Sequence, residues 1–223
     1  MSDRAMSDKP LLAVEDLKVR FPTRKGVVEA VRGISFSLGR EKLGIVGESG
    51  SGKSMTGRAI LRLVSRPGIV TAKRMEFDGI DLQRASEAQM RTIRGQRISM
   101  VMQDPKFSLN PVMRVGEQIA EAYRTHQKVR PAEAKKRALE MLAAVRIRDP
   151  ERVYRAYPHE VSGGMGQRIM IAMMLIPDPD LLIADEPTSA LDVTVQLQVL
   201  AILDDLVTQR GMGLIFISHD LKL

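Results

Sequence analysis

The octapeptide Gly47-Glu48-Ser49-Gly50-Ser51-Gly52-Lys53-Ser54 fits the pattern G-x-x-x-x-G-K-[ST], which demands a strand, a glycine-rich loop and a helix in that order. Both flanks comply. Leu43-Gly44-Ile45-Val46 reads as a short buried strand, and Thr56, Arg58, Ala59, Ile60 and Leu61 belong to a following helix. Glycines let the loop turn its backbone N–H groups inward on an anion, and the helix N-terminus adds the positive end of its dipole. Lys53 is predicted to reach the β- and γ-phosphates of a nucleotide, and the Ser54 hydroxyl to sit on Mg²⁺. A Gly/Ser-rich linker would need neither the Lys-Ser pair nor the strand before it.

The chain has 223 residues, enough for one large domain or one domain with a subdomain, and its 44% hydrophobic content supports a core. No apolar run is long enough to span a bilayer. The first ten residues read as a polar tail without the apolar core of a signal peptide. The absence of cysteine excludes a disulfide framework and a thiolate metal site. A net charge of +7 suggests an anionic partner: nucleotide, nucleic acid or lipid headgroups. The basic residues are scattered, however. Lys135-Lys136-Arg137 shares a predicted helix with Glu133 and Glu140, and Arg91, Arg94 and Arg97 suit a solvated helical face as well as a binding patch. With 4% aromatic residues and no Trp, platforms for stacking single-stranded nucleic acid are poorly supplied.

No internal repeat or interdomain linker interrupts the chain. Leu11–Val14, Leu17–Phe21 and Val27–Leu38 are strand-like, as are Met75–Leu82, entering an Asp-Gly turn, and Ile98–Met102. From Val115 to about Ile147 the period becomes helical, with Ala134, Ala138, Leu142 and Val145 at spacings of three and four. A second helix is expected from Ser162 through Met170, Met173 and Met174, its methionines filling core. Leu181–Ala184 is continuously apolar, as in a parallel strand buried on both faces. Val193–Gln209 is helical and Met212–Ile217 a last strand. This is an α/β domain with a helical subdomain, spanning residues 11–223 with the helical part at about 106–175.

Two further segments carry chemistry. Leu181–Ala184 ends in Asp185-Glu186-Pro187, two acids at the C-terminal end of a parallel strand, where α/β folds bind ligands. Asp185 would hold Mg²⁺, and Glu186, one residue on, could face the γ-phosphate and polarise an attacking water. Ser162-Gly163-Gly164-Met165-Gly166-Gln167-Arg168 opens a helix with a Ser at the N-cap and glycines that permit close backbone approach.

Phosphate loop, Gln103 after a strand, Ser-Gly-Gly, Asp185-Glu186, Ser189-Ala190-Leu191-Asp192 and the late His219 follow one another as in the nucleotide-binding subunits of ATP-binding cassette (ABC) transporters, which the chain resembles over residues 11–221. Gln103-Asp104-Pro105 with Ser108-Leu109-Asn110-Pro111, Tyr157-Pro158-His159-Glu160 and Ala190-Leu191-Asp192-Val193-Thr194-Val195-Gln196 are similar to the dipeptide, oligopeptide and nickel importer branch. The resemblance implies a P-loop NTPase fold and ATP hydrolysis with Mg²⁺. Phe21 would stack on adenine, Gln103 would sense Mg²⁺ and water, and His219 would contact the γ-phosphate. It further implies a head-to-tail pair of cassettes, in which Ser162, Gly163 and Gly164 serve the partner's ATP. Two membrane permease subunits and an extracytoplasmic substrate-binding protein would complete a peptide importer, the cassette lying at the cytoplasmic face of the inner membrane. His126 and His159 match no such role and read as a surface and a structural residue.

Two departures stand out. Gly166 occupies a position where this branch usually carries Arg, and mid-helix Gly costs roughly 1 kcal/mol against Ala. The chain also stops four residues after His219, so the resemblance implies a cassette truncated at its C-terminus, Lys222-Leu223 departing from the usual continuation. The competing class is a soluble cassette ATPase acting on nucleic acid or ribosomes. Only 132 positions separate Lys53 from Asp185, leaving no room for the long coiled coil of the DNA-repair relatives. No nucleic-acid partner is therefore expected.

Overall fold

The structure is a computed structural model and describes residues 9–103, 108–189 and 191–220; Asp104, Pro105, Ala190, Lys222, Leu223 and most of the N-terminal tail lie outside the described residues. The first half runs β1 (Leu12–Thr23), β2 (Gly26–Leu38), β3 (Lys42–Val46), α1 (Lys53–Ile60), β4 (Ile69–Thr71), β5 (Arg74–Phe77), β6 (Ile80–Asp81), α2 (Glu87–Ile93) and β7 (Ile98–Val101). The second runs α3 (Val115–His126), α4 (Pro131–Ala144), α5 (Pro150–Arg155), a 3₁₀ turn (Pro158–Glu160), α6 (Gly163–Leu175), β8 (Leu181–Asp185), α7 (Val193–Arg210) and β9 (Gly213–Ser218).

Two sheets divide the strands. An antiparallel sheet has the order β2-β1-β5-β6, with β4 also on β1, and a parallel sheet has the order β3-β9-β8-β7. The two expected strands at Leu11–Val14 and Leu17–Phe21 are one strand, β1, whose register slips where Asp16 enters the left-handed region at φ 49°. Ser35 Oγ accepts the freed Asp16 N–H at 2.9 Å.

β8 organises the core. All five of its residues are buried, and the first four alternate between two clusters. Leu181 and Ile183 pack with Ala59, Ile60 and Leu61 of and after α1 and with Leu12, Val14 and Phe77 of the antiparallel sheet. Leu182 and Ala184 pack with Ile169 and Met170 of α6 and with Val199, Leu203 and Leu206 of α7. Period-two side chains on a strand covered on both faces explain why the segment reads as an unbroken apolar run.

β3 departs from its expected burial. Among the described residues it is an edge strand of the parallel sheet, pairing only with β9, and Lys42, Gly44 and Val46 are exposed while Leu43 and Ile45 are partly buried. An apolar run does not reveal how many neighbours a strand has. Two short helices, α2 and α5, were not anticipated. α2 is announced by a capping box: Ser86 Oγ accepts from Gln89 N at 3.2 Å and Gln89 Oε1 accepts from Ser86 N at 2.8 Å.

The triplet-spaced arginines form neither a solvated stripe nor a binding patch. α2 ends at Ile93, and Arg94 turns inward to donate to the carbonyl of Leu61 at 2.7 Å. Arg97 lies over the Phe77 ring, 4.9 Å from its centroid, and bridges Asp78 and Asp180, the latter also held by Arg40. This clamp ties the Asp78-Gly79 turn of the antiparallel sheet to the entrance of β8.

Candidate nucleotide site

The phosphate loop joins the C-terminal end of β3 to the N-terminus of α1. Gly52 caps α1 at φ 94°, where a Cβ would fall 2.1 Å from the Ala30 carbonyl oxygen of β2. Only glycine allows that approach, and it brings the antiparallel sheet against the loop. Glu48, Ser49, Gly50 and Ser51 are exposed, Gly47 partly so, and Ser51 N donates to Glu48 O at 3.2 Å.

Lys53 is 7% exposed. Its ammonium donates to the carbonyls of Gly47 at 2.7 Å and Glu48 at 2.8 Å and lies 4.0 Å from Glu186 Oε1. A buried ammonium held mainly by neutral carbonyls is suited to an anion delivered to the loop. Ser54, the next residue, donates through Oγ to Asp185 Oδ1 at 2.7 Å. Burial raises the Asp185 carboxyl above its ordinary proton affinity. The Ser54 hydroxyl, Arg58 and Lys53 pull the other way, and Glu186 adds to the rise. A hydroxyl and a buried carboxylate oxygen in contact are hard-oxygen donors that fit Mg²⁺. Among the described residues no group of three or more His, Asp or Glu forms an all-protein metal cage, so most of such an ion's ligands would come from phosphate and water.

Glu186 has φ 47°, in the left-handed region that a non-glycine residue rarely adopts. Its N–H still donates to Ile217 O of β9 at 3.0 Å. The backbone therefore turns out of the sheet at this residue, and the carboxylate stands between Lys53 and His219, whose Nδ1 lies 3.1 Å from Glu186 Oε2. A cleft of about 100 Å³ opens beside them, lined by Glu186, Ser189, Gln196 and His219 among others. Gln196 was not anticipated as a site residue; its place in the first turn of α7, after the Asp192 cap, was the available signal. Gln103 is exposed two residues beyond the end of β7, the strand adjoining β8, so it stands at the same sheet edge as Asp185.

Two expected site segments lie elsewhere. Phe21 is half-buried and packs on the cluster of the antiparallel sheet and against Gly68. Ser162 and Gly163 are exposed at the start of α6, where Ser162 Oγ accepts from Met165 N at 3.4 Å. The hydrogen bonds and ion pairs among the described residues do not join them to the phosphate loop, and α6 packs chiefly on α3, α4, α7 and β7. Gly166 is buried in that helix. A Cβ on Gly164 would meet Val195 Cγ1 at 2.4 Å, which seats α6 tightly on α7. Gly164→Ala is expected to lower Tm by about 2–6 °C through overpacking of roughly 1–2 kcal/mol, and to leave nucleotide affinity of the same chain unchanged. A melting curve beside a calorimetric titration tests this. His126, read as a surface residue, is half-buried against Gly95, and burial holds its ring proton affinity below the usual value. His159, read as structural, is exposed and stacks on Tyr157 with centroids 5.7 Å apart.

A phosphate loop, an Asp-Glu pair at the end of the central strand, a histidine against that glutamate and a helical layer beside the sheet define a P-loop cassette fold. The profile of the family described as ABC transporter matches residues 31–189, and the chain belongs to that family. The oligopeptide transport ATP-binding protein OppD of Bacillus subtilis (strain 168) is 50% identical over 213 residues, which are 95% of this chain and 60% of OppD. The dipeptide transport ATP-binding protein DppD of Escherichia coli (strain K12) is 48% identical over 96% of this chain and 65% of DppD. The chain thus spans under two thirds of the length of these relatives. Among solved structures, the dimeric ATP-binding cassette MJ0796 bound to ADP and Pi superposes with a TM-score of 0.81 at 25% identity, covering 95% of this chain and 89% of that one. The cbiO1 cassette of Clostridium perfringens, part of the cbiONQ transporter complex, gives 0.78 over 96% and 80%.

Proposed function

We propose that this chain is the ATP-binding and hydrolysing part of a peptide importer. The observation that carries the reading is the hydrogen bond of Ser54 to Asp185 beside the contacts of the next residue, Glu186, with Lys53 and His219. The names of the 50% and 48% identical relatives supply the cargo class.

The chain's own residues divide the work. Lys53 exchanges the Gly47 and Glu48 carbonyls for β- and γ-phosphate oxygens, while the loop N–H groups hold the rest of the polyphosphate. Ser54 and Asp185 would hold Mg²⁺, with Gln103 nearby at the strand edge. When bound, Mg²⁺ supplies charge neutralisation at the phosphate oxygens. Glu186 takes a proton from the attacking water as its oxygen bonds to the γ-phosphorus and the bridging oxygen leaves with ADP. His219 braces that carboxylate through Nδ1 and offers its other ring nitrogen to the terminal phosphate. Phe21 offers a ring face to adenine. Ser162 and Gly163, exposed and without a hydrogen bond or ion pair to the chain's own loop among the described residues, would with the partly buried Gly164 complete the site of a second cassette arranged head to tail.

A groove of about 310 Å³ is lined by Asn110, Met113, Gln118, Glu121, Thr125 and Met173. It is the proposed seat of a membrane permease subunit, two of which, with an extracytoplasmic peptide-binding protein, would complete the importer at the cytoplasmic face of the membrane. The test is phosphate release as components are added in turn. The isolated chain is expected to turn over weakly and to respond only when a partner cassette, both membrane subunits and the binding protein are present. Strong stimulation of the lone chain by DNA or ribosomes would sink the reading.

The buried Asp185 gives a second test. A carboxyl whose proton affinity is raised on folding contributes stability at acid pH that is lost as pH climbs through its folded pKa. Asp185→Asn is therefore expected to raise Tm near neutral pH by about 2–4 °C, the gain vanishing toward acid pH, while Mg²⁺-dependent ATP affinity falls. Melting curves across pH, paired with titrations with and without Mg²⁺, would expose the opposite trend.

A further inference from the structure

The turn between α3 and α4 concentrates charge that nothing in the proposed ATPase cycle uses. Residues 121–136 contain Arg124, Lys128, Arg130, Lys135 and Lys136 against two acids, Glu121 and Glu133. All five cations are exposed. Among the described residues none of them has a carboxylate within ion-pair distance; Lys135 lies over the Tyr154 ring at 5.6 Å. The neighbouring Arg137 differs, being paired with Asp178 and Glu140. Burial lowers the proton affinity of the neighbouring His126.

The turn is held in place. Val129 packs on the helical core, Gln127 N donates to Tyr123 O at 2.9 Å, and Ala134 N donates to Arg130 O at 3.1 Å. Lys128 and Arg130 therefore flank an anchored residue and point away from the core. The last turn of α3 and the first two turns of α4 bring all five charges within about 10 Å of the turn along the helix axes. Glu121 and Thr125, on the same helix, line the groove described above, so the basic turn begins where the groove ends.

We propose that the α3–α4 turn is a docking surface for anionic lipid headgroups. A cluster of five exposed cations without carboxylate partners among the described residues matches a surface of diffuse negative charge, as polybasic segments do. A duplex or single strand would be better served by a basic groove with aromatic platforms, and this segment offers only Tyr123, itself half-buried in the core. A permease subunit seated in the groove would bring the bilayer surface toward the turn. The inference leans on the importer reading only at that last step, and the test below contains no permease, so the two can fail separately.

The 223-residue chain is to be co-sedimented with vesicles of phosphatidylcholine alone and of phosphatidylcholine with phosphatidylglycerol. Binding is expected with the anionic vesicles only, and is expected to be lost in high salt. The triple variant Arg124→Gln/Lys128→Gln/Arg130→Gln should partition at least about 10-fold more weakly. Neutralising three exposed cations of the β1–β2 hairpin, Arg24→Gln/Lys25→Gln/Arg32→Gln, should change it less than about 2-fold. Should the triple variant melt low, Lys128→Glu alone replaces it and must also weaken binding. Equal binding to neutral vesicles overturns the proposal, as does loss in the hairpin variant with none in the turn variant. Tighter binding to a duplex oligonucleotide, abolished by the same triple substitution, would reassign the surface to nucleic acid.

Discussion

Glu186→Gln binds ATP as the unmodified chain does and, in a paired cassette, hydrolyses it at least about 10²-fold more slowly, the scale of losing a positioned general base. The geometry separates the two functions. Phosphate affinity rests on Lys53 and the loop N–H groups, which the substitution leaves in place. Glu186 itself stands 4.0 Å from the lysine ammonium and 3.1 Å from His219. Glutamine keeps the shape and accepts hydrogen bonds but cannot take a proton from water at neutral pH. The removed charge also lies near where the γ-phosphate must come, so ATP affinity should hold or rise, and the closed pair should persist. Titration calorimetry and single-turnover phosphate release measure the two quantities on one preparation. Wild-type turnover by the variant would remove Glu186 from the role of base.

Lys53→Ala is expected to weaken ATP·Mg²⁺ binding by about 10²-fold or more, since charge-assisted hydrogen bonds to the polyphosphate are lost from a desolvated site. Lys53 is almost wholly buried, and its partners in the fold are two loop carbonyls. The substitution should therefore leave the melting temperature close to its original value, because an exposed loop can present those carbonyls to water. An unchanged titration would contradict the assignment of the loop. A collapse in Tm with no affinity to measure would show that the ammonium organises the loop itself.

The parts of this site that were legible in the sequence are those whose chemistry is contiguous. The loop Gly47–Ser54 and the pair Asp185-Glu186 each carry strand, turn and ligand in under ten residues. Their meeting through the Ser54–Asp185 hydrogen bond follows from two parallel strands in one sheet. Helix α4 was readable because Ala134, Ala138, Leu142 and Val145 all face one core. Features set by distant neighbours were not readable. Arg97 and Arg40 meet on Asp180 from 83 and 140 residues away, and no local pattern announces such a clamp. The left-handed turn at Glu186 and the stacking of His159 on Tyr157 likewise depend on local backbone geometry that residue type alone does not specify. Ser86-Glu87-Ala88-Gln89 did announce α2, but seven residues are too few for a periodic apolar signal.

The one-sided pairing of β3 bears on how nucleotide affinity and local order are linked. β8 is flanked on both sides and buried throughout, whereas among the described residues β3 is tied to the sheet by β9 alone and leaves alternate residues to solvent. Its amides should exchange with deuterium well ahead of those of β8, because such segments open without global unfolding. Among the described residues the phosphate loop is thus suspended from a strand with one neighbour and alternate residues open to solvent. Every ligand gripped by Lys53 and the loop must then slow the opening of β3 as well, so part of the binding free energy is spent on quieting a strand that frays in its absence.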